Sequence, residues 1–333
     1  MGNTNQAESQ KEKYDLTPEE YIACLRKAEL AMFIGKENSK HTRVPISLFV
    51  VAQPGAGKTG LRSYVERRYP QIAKTCVEFN PDELAMHHKY YEEILNEFPN
   101  ESYQILQRFT QPALDTYLRS RAVQLRRNVI QEGTLAATKT YIDILAFQKN
   151  GGIANIGDTD EQGKRKQIKV SGGYYIDINV LAVHRYESLL SSYEREQSFI
   201  ENELPPRAVT AENHDRAYKN ILETVKLIEQ KGLYDRIRVF RRGEIEQEPR
   251  LVFKTGDNKY PSAVEAIVQE REKNRREILA NSQVYLQRMK ELEQRIRTNK
   301  NQANAMIQLG KLQTLKDEFM LELEKQEEQS LDS

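Results

Sequence analysis

A short apolar run, Ile46-Ser47-Leu48-Phe49-Val50-Val51, leads directly into Ala52-Gln53-Pro54-Gly55-Ala56-Gly57-Lys58-Thr59 and then into a helical pattern. A strand, a glycine-bearing turn closed by Lys-Thr, and a helix in that order point to an α/β fold whose loop wraps a polyphosphate. Glycines let backbone N–H groups turn inward onto phosphate oxygens, a lysine reaches the β- and γ-phosphates, and a threonine hydroxyl ligates Mg²⁺. Gln53, Pro54, Gly55, Ala56, Gly57, Lys58 and Thr59 are therefore the candidate nucleotide-binding residues, with Thr59 as the candidate metal ligand. Ala52 stands where the first glycine of G-x-x-x-x-G-K-[ST] is usual, and a plain glycine-rich turn before a helix is the alternative reading.

The rest of the chain has to be built around that loop. Its 333 residues are 38% hydrophobic and 30% charged, enough for one large core, or one core and an appendage, with much solvated helix surface. Lys and Arg number 50 against 49 Asp and Glu, so no overall field favours nucleic acid or an anionic membrane, and neither is an expected partner. Cys24 and Cys76 alone supply no disulfide framework and no zinc-ligand set. With no run near the length of a membrane span and no apolar signal core in residues 1–13, a cytoplasmic protein is expected.

Upstream of the loop, Thr17-Pro18-Glu19-Glu20 supplies an N-cap, a proline at the first helical position and a capping-box glutamate. A helix is expected to about residue 35, with Ile22, Leu25, Leu30 and Phe33 as its packing stripe. Downstream, residues 61–69 read as the helix facing the phosphates and residues 76–79 as a second strand. Asn80-Pro81-Asp82-Glu83 then caps a helix and sets Asp82 just beyond a strand's carboxyl end, the edge where doubly wound sheets bind ligands. Asp82 is either a ligand-facing carboxylate or an ordinary dipole-stabilising one.

Residues 92–127 read as helix broken around Pro99 and Pro112, and carry Asp115. A strand opening at Val129-Ile130 ends in Glu132-Gly133-Thr134, where the carboxylate either orients a metal or hydroxyl or caps the next helix. A helix over 140–150 precedes a polar, glycine-rich stretch, 151–173, that contains Lys164-Arg165-Lys166 and reads as a solvated loop or loose hairpin. Then come a strand over 174–183, a helix over 184–201 carrying Arg195, a rigid loop over 203–207, and a helix from the Thr210 cap to 231. Two closing strands, 235–242 and 250–254, flank a turn at Gly243. Beyond Pro261, Tyr285, Met289, Leu292 and Ile296 repeat in 4-3-4 spacing, a coiled-coil seam. Leu312, Leu315, Phe319 and Leu323 fit a second helix folding back after a turn near 298–301, giving a solvated helical hairpin in preference to a partner surface.

Taken together, these residues resemble the zeta-toxin family of bacterial P-loop kinases, the toxin half of epsilon/zeta-type toxin–antitoxin systems. The resemblance runs from residue 17 to about 254. It rests on the order and spacing of the capped first helix, the loop from Ala52 to Thr59, the acidic turn at Asn80-Pro81-Asp82-Glu83, His88, Glu132-Gly133-Thr134, Tyr193-Glu194-Arg195 and Pro206-Arg207-Ala208-Val209-Thr210. It implies a P-loop NTPase-like α/β fold, a mostly parallel sheet flanked by helices, here with a C-terminal helical hairpin or coiled-coil extension. It also implies ATP-Mg²⁺-dependent phosphorylation of the 3′-hydroxyl on the amino sugar of UDP-N-acetylglucosamine, which poisons cell-wall precursor synthesis.

By the same resemblance Asp82 matches the catalytic base, Lys58, Arg195 and Arg207 the cations around the transferring phosphate, and Thr59 the Mg²⁺ ligand. Glu132 matches a sugar-contacting residue, and Thr134 and His88 fall in matched segments as substrate-binding candidates. Asp115 lies near a family glutamate with the same task, with one inserted residue between it and Glu132. The sequence departs from the family in Ala52, in Leu84-Ala85 after Asp82, and in the 152–172 insertion. The implied organisation is a flexible 1–16 segment, a kinase domain over 17–255 and a helical extension over 256–333. An antitoxin is expected to dock near the first helix, with inhibition in cis by the C-terminal hairpin as the alternative. Other small-molecule acceptors, or a nucleotide-binding protein without catalysis, are the competing functions, and the chain has no Asn-Lys-x-Asp guanine-reading motif.

Overall fold

Strand β1 (Ile46–Val51) is buried along nearly its whole length, and its side chains alternate between two apolar layers. Leu48 and Val50 pack with Leu61, Val65 and Cys76 on one face, whereas Phe49 and Val51 pack with Leu25, Ala122, Leu145 and Ile221 on the other. A strand covered on both faces reads as a continuous hydrophobic run, which is how 46–51 appears in sequence. The computed structural model describes residues 12–36, 44–98, 101–159, 165–204, 208–243, 248–299 and 302–331.

Around β1 the main sheet adds β2 (Val77–Phe79), β3 (Val129–Gly133), β6 (Tyr175–Ala182), β7 (Arg236–Arg241) and β8 (Arg250–Lys254), in the order β2-β3-β1-β6-β7-β8. Every neighbouring pair is parallel except β7 with β8. Helices α2 (Lys58–Arg68) and α3 (Pro70–Thr75) carry Leu61, Val65 and Ile72 onto one face of the sheet. The other face is covered by α1 (Pro18–Phe33), α7 (Arg119–Gln124), α8 (Thr138–Asn150), α10 (Ala211–Lys231) and α11 (Ala263–Ala280). This is the mostly parallel, helix-flanked α/β sheet that the sequence implies.

The first helix begins as expected: the Thr17 side chain accepts from the Glu20 N–H, and the Glu20 carboxylate accepts from the Thr17 N–H. Its buried stripe is Cys24, Leu25, Ala28 and Phe33, while the expected Leu30 is 67% exposed. Past β2 come the short α4 (Pro81–Ala85) and α5 (Tyr91–Glu97), then α6 (Ser102–Ala113). Pro112 does not break α6; the helix runs through it and relaxes immediately afterwards into a π turn, Leu114–Leu118, before α7. Pro99 lies outside the described residues.

The glycine-rich stretch after α8 is a two-stranded antiparallel hairpin, β4 (Gly151–Thr159) with β5 (Arg165–Ser171), and Lys164 lies outside the described residues. Gly151 and Gly172 seat it against the body. A Cβ on Gly151 would meet the Val170 carbonyl oxygen at 2.2 Å, and one on Gly172 would meet the Gly151 nitrogen at 2.3 Å.

The C-terminal helices are more than a solvated hairpin. The seam residues Tyr285, Met289, Leu292 and Ile296 on α12 (Ser282–Arg297) and Leu312, Leu315 and Phe319 on α13 (Gln302–Leu331) are buried as expected. They also close over Tyr186, Leu189, Leu190 and Tyr193 of α9 (Arg185–Glu201), forming one apolar cluster. Arg288 pairs with Glu187 and Glu194 at 2.8 Å each, fixing α12 along α9. Helix α11 belongs to the core itself, since Ala263, Ala266 and Ile267 are fully buried with the sheet residues. The main core therefore extends past residue 255, where the sequence suggested the kinase domain to end.

Candidate active site

The loop between β1 and α2 takes the conformation its glycines allow. Gly55 and Gly57 have φ of +73° and +94°, and a Cβ on Gly55 would lie 1.9 Å from the Ser188 carbonyl oxygen of α9. Gly57 is the N-cap of α2 and no side chain caps that helix, so its first N–H groups and positive dipole end are left to an anion. Thr59 sits exposed in the same first turn. Gln53 behaves differently from its neighbours: its Nε2 donates to the Val183 carbonyl at 2.8 Å and to Ser188 Oγ at 3.2 Å. Its side chain faces the interior, which leaves only its backbone to shape the loop. Arg242, just after β7, packs across Gly57 and is held by Glu187 and Ser191 Oγ at 3.1 Å each.

Three of the expected site residues, Glu132, Arg195 and Asp82, lie within electrostatic reach of a fourth, Lys58. Burial lowers the pKa of its ammonium; Glu132 opposes the shift, Arg195 adds to it, and Asp82 opposes it. Lys58 makes no ion pair among the described residues. The Asn80 side chain accepts from the Asp82 N–H at 3.0 Å, so the cap read from sequence is present and fixes Asp82 at the start of α4. Arg195 reaches the same region from α9.

Glu132 is not free. Arg62 Nη1 donates to its Oε1 at 2.7 Å, and the same guanidinium binds Glu66 at 2.7 Å and Glu78. Burial works against the Arg62 charge, but hydrogen bonds to Glu66, Glu132 and Glu78 outweigh it and raise its pKa. Sequence reasoning missed Arg62, although it lies one helical turn after Lys58 and so shares its face of α2.

Asp115 lies in the π turn, bonded to Arg119 and Gln111, and Arg119 Nε also donates to Gln131 Oε1 at 3.2 Å. A π turn holds one more residue than the α turn it replaces. Tyr141 of α8, also unanticipated, brings its hydroxyl against Gly133, where a Cβ would meet it at 2.3 Å. Burial raises the Tyr141 pKa; Arg119 opposes the shift and Asp115 and Tyr103 add to it, so the four side chains share one wall of the site. Tyr103 in turn lies within electrostatic reach of Asp82.

The bend after Gly133 is strained and clamped. Leu135 is fully buried with φ +49°, its carbonyl accepts from Thr224 Oγ1 at 2.8 Å, and Thr134 Oγ1 accepts from the Ala136 N–H at 3.3 Å. His88 stands apart from this constellation. It is buried edge-on against Phe109, its Nδ1 accepts from the Tyr90 N–H at 3.2 Å, and burial lowers its pKa. Those are the surroundings of a packing residue, in contrast to the substrate contact expected. Arg207 lies outside the described residues.

No described helix is long and apolar enough to cross a membrane. The chain is similar to Toxin PezT of Streptococcus pneumoniae serotype 4 (strain ATCC BAA-334 / TIGR4), at 23% identity over 229 residues, covering 68% of this chain and 79% of that protein. It is similar to Toxin zeta of Enterococcus hirae at 23% identity over 207 residues, covering 62% of this chain and 64% of the relative. A solved structure from the PezAT chromosomal toxin–antitoxin system of Streptococcus pneumoniae superposes with a TM-score of 0.60 at 20% identity, covering 84% of this chain and 98% of that one, which shows a shared fold. The profile of the family described as Zeta toxin matches residues 31–156 and 154–247, its two segments meeting inside β4. With that match spanning more than half of its length, the chain belongs to the zeta toxin family.

Proposed function

We propose that this protein is an ATP-dependent phosphotransferase that moves the γ-phosphoryl group to a hydroxyl of a UDP-activated amino sugar, the 3′-hydroxyl of UDP-N-acetylglucosamine. The observation that carries the reading is the convergence of Asp82, Glu132 and Arg195 on Lys58 at the mouth of the loop. Asp82 accepts the acceptor's hydroxyl proton as its oxygen bonds to the γ-phosphorus and the bond to ADP breaks. Lys58, Arg195 and Arg207 offset charge on the phosphoryl oxygens, the loop amides hold the β-phosphate, and Thr59 supplies a hydroxyl to Mg²⁺. A Mg²⁺ held through the Thr59 hydroxyl would supply neutralisation of the nucleotide's phosphate charge. Glu132, Thr134 and Asp115 take the sugar side, with Tyr141 closing the wall beside Gly133.

As a toxin acting on a cytoplasmic cell-wall precursor, such an enzyme needs restraint, and an antitoxin docking on α1 is the partner we assign. Support comes from the similarity to a member of the PezAT toxin–antitoxin system, and from Leu30 and Ile34, which lie 67% and 68% exposed one turn apart at the end of α1.

Incubation of purified protein with labelled ATP and a panel of UDP-sugars, nucleosides and aminoglycosides tests the reading. Label on UDP-N-acetylglucosamine is the expected outcome. Label on another compound alone reassigns the acceptor, and ATP binding without any transfer favours a nucleotide-binding partner protein. Asp82→Asn is expected to retain ATP binding and lose transfer; unchanged turnover removes Asp82 as the base.

A further inference from the structure

Arg271 of α11 is 3% exposed and has no carboxylate partner among the described residues. Its guanidinium lies 3.8 Å from the centre of the Tyr218 ring; Nη1 donates to the Tyr218 carbonyl at 2.9 Å, Nη2 reaches Gln53 Oε1 at 3.4 Å, and Nε has no partner. A buried cation normally comes with a counter-ion, because its desolvation is otherwise uncompensated. Here a ring face and two neutral oxygens do that work, which leaves a net positive charge directly behind Gln53 of the phosphate loop.

Gln53 is held on every side. Both N–H bonds of its amide are given to Val183 and Ser188, its oxygen faces Arg271, and its backbone carbonyl accepts from the Ala56 N–H at 3.3 Å to start the loop's turn. Ser188 Oγ lies 2.9 Å from His214 Nε2, and His214 Nδ1 lies 3.1 Å from Asp215, which takes the Arg185 Nε–H at 2.7 Å. The loop is thereby tied through buried polar groups to α10 and α11.

We propose that Arg271 is a positioning residue of the nucleotide site: it fixes the loop through Gln53 and supplies, from inside the protein, a positive charge whose counter-ion is the nucleotide polyphosphate. The inference rests on the nucleotide reading above and extends it to a helix beyond the segment that the family profile matches. A residue that only packed would affect all ligands of the loop alike, whereas this one favours ligands in proportion to their phosphate charge.

The test measures ATP and AMP affinity by calorimetry, and amide exchange of residues 55–59, in the full chain and in Arg271→Met and Arg271→Lys. In the methionine variant ATP affinity is expected to fall about tenfold and AMP affinity less than threefold, with faster exchange in the loop. The lysine variant keeps the charge and loses the fork, so ATP affinity stays within about threefold while loop exchange still quickens. Parent-like ATP affinity in a folded methionine variant overturns the proposal, as does an equal loss for ATP and AMP. Should the methionine variant not fold, parent-like exchange in the lysine variant overturns it. A parent chain that binds no ATP removes the nucleotide reading itself, a result separable from all of these.

Discussion

The two sides of the site are built on opposite electrostatic plans. On the side we assign to the nucleotide, among the described residues, Lys58 has no ion pair, Arg271 has no counter-ion and no side chain caps the N-terminus of α2, so positive potential is left for a ligand. On the side we assign to the acceptor the carboxylates already have partners: Glu132 in Arg62, and Asp115 in Arg119 and Gln111. The first side waits for a polyanion of any origin, and the second offers prearranged hydrogen-bonding groups whose carboxylates are held by arginines. Preorganised charge favours phosphate, whereas fixed polar walls discriminate by hydrogen-bond geometry.

The largest expected break in that contrast is Lys58→Ala. Removal of this cation should lower phosphoryl transfer by at least about a thousandfold and weaken ATP binding, with an unchanged circular dichroism spectrum. Retention of more than a tenth of the activity would show that the positive side does not depend on it. Next is Arg62→Ala, which leaves Glu66, Glu78 and Glu132 facing one another. Unfolding by urea should show a loss of about 2 to 3 kcal/mol, the lower end of the range for an orphaned ion pair because the group is partly solvated. A loss within about 0.5 kcal/mol would mean that the acceptor wall stands without its arginine.

A third expectation concerns pH. His184 caps α9 by accepting from the Tyr186 N–H at 3.3 Å, and burial, with Arg275 and Arg271 nearby, lowers its pKa to about 4. A base whose folded pKa lies below its unfolded one takes up its proton more readily when unfolded. Its contribution is therefore intact above pH 6.5 and declines as pH falls towards 4. His214 is shifted in the same direction. His184→Asn keeps a capping oxygen without titrating, and should flatten the fall in stability across that window by up to about 2 to 3 kcal/mol, read from urea midpoints at several pH values. An unaltered slope would place the acid sensitivity elsewhere. The smallest effect is expected at Arg119→Ala: freeing Asp115 should raise the acceptor KM about tenfold, roughly 1.4 kcal/mol, and leave ATP affinity within twofold. A matching change in ATP affinity would mean that the two sides are not independent.

These sides were not equally legible in sequence. The loop, the Thr17 and Asn80 caps and the strand ends are set by residues within a few positions of one another, and the structure places each as read. The partners of Glu132 and Asp115 depend on tertiary approach: Arg62 comes from α2, 70 positions away from Glu132, and Arg119 faces Asp115 across a π turn that no periodicity announces. His88 was a candidate only because it falls in a segment that the family resemblance matches, and its environment is aromatic packing. The C-terminal seam was readable, but the face of α9 that receives it was not, since 184–201 read only as a helix carrying Arg195 and nothing local marks Tyr186, Leu189, Leu190 and Tyr193 as its partners.

The π turn at Leu114–Leu118 gives the acceptor wall a property its chemistry alone lacks. Because it holds one residue more than the regular helix would, removing one position there restores the α repeat while the helix on either side keeps its facing. Losing one of residues 116–118 would leave Asp115 and Arg119 three positions apart, still neighbours on one helix face. A change of chain length by one residue can thus be absorbed at this wall while the phosphate loop stays as it is.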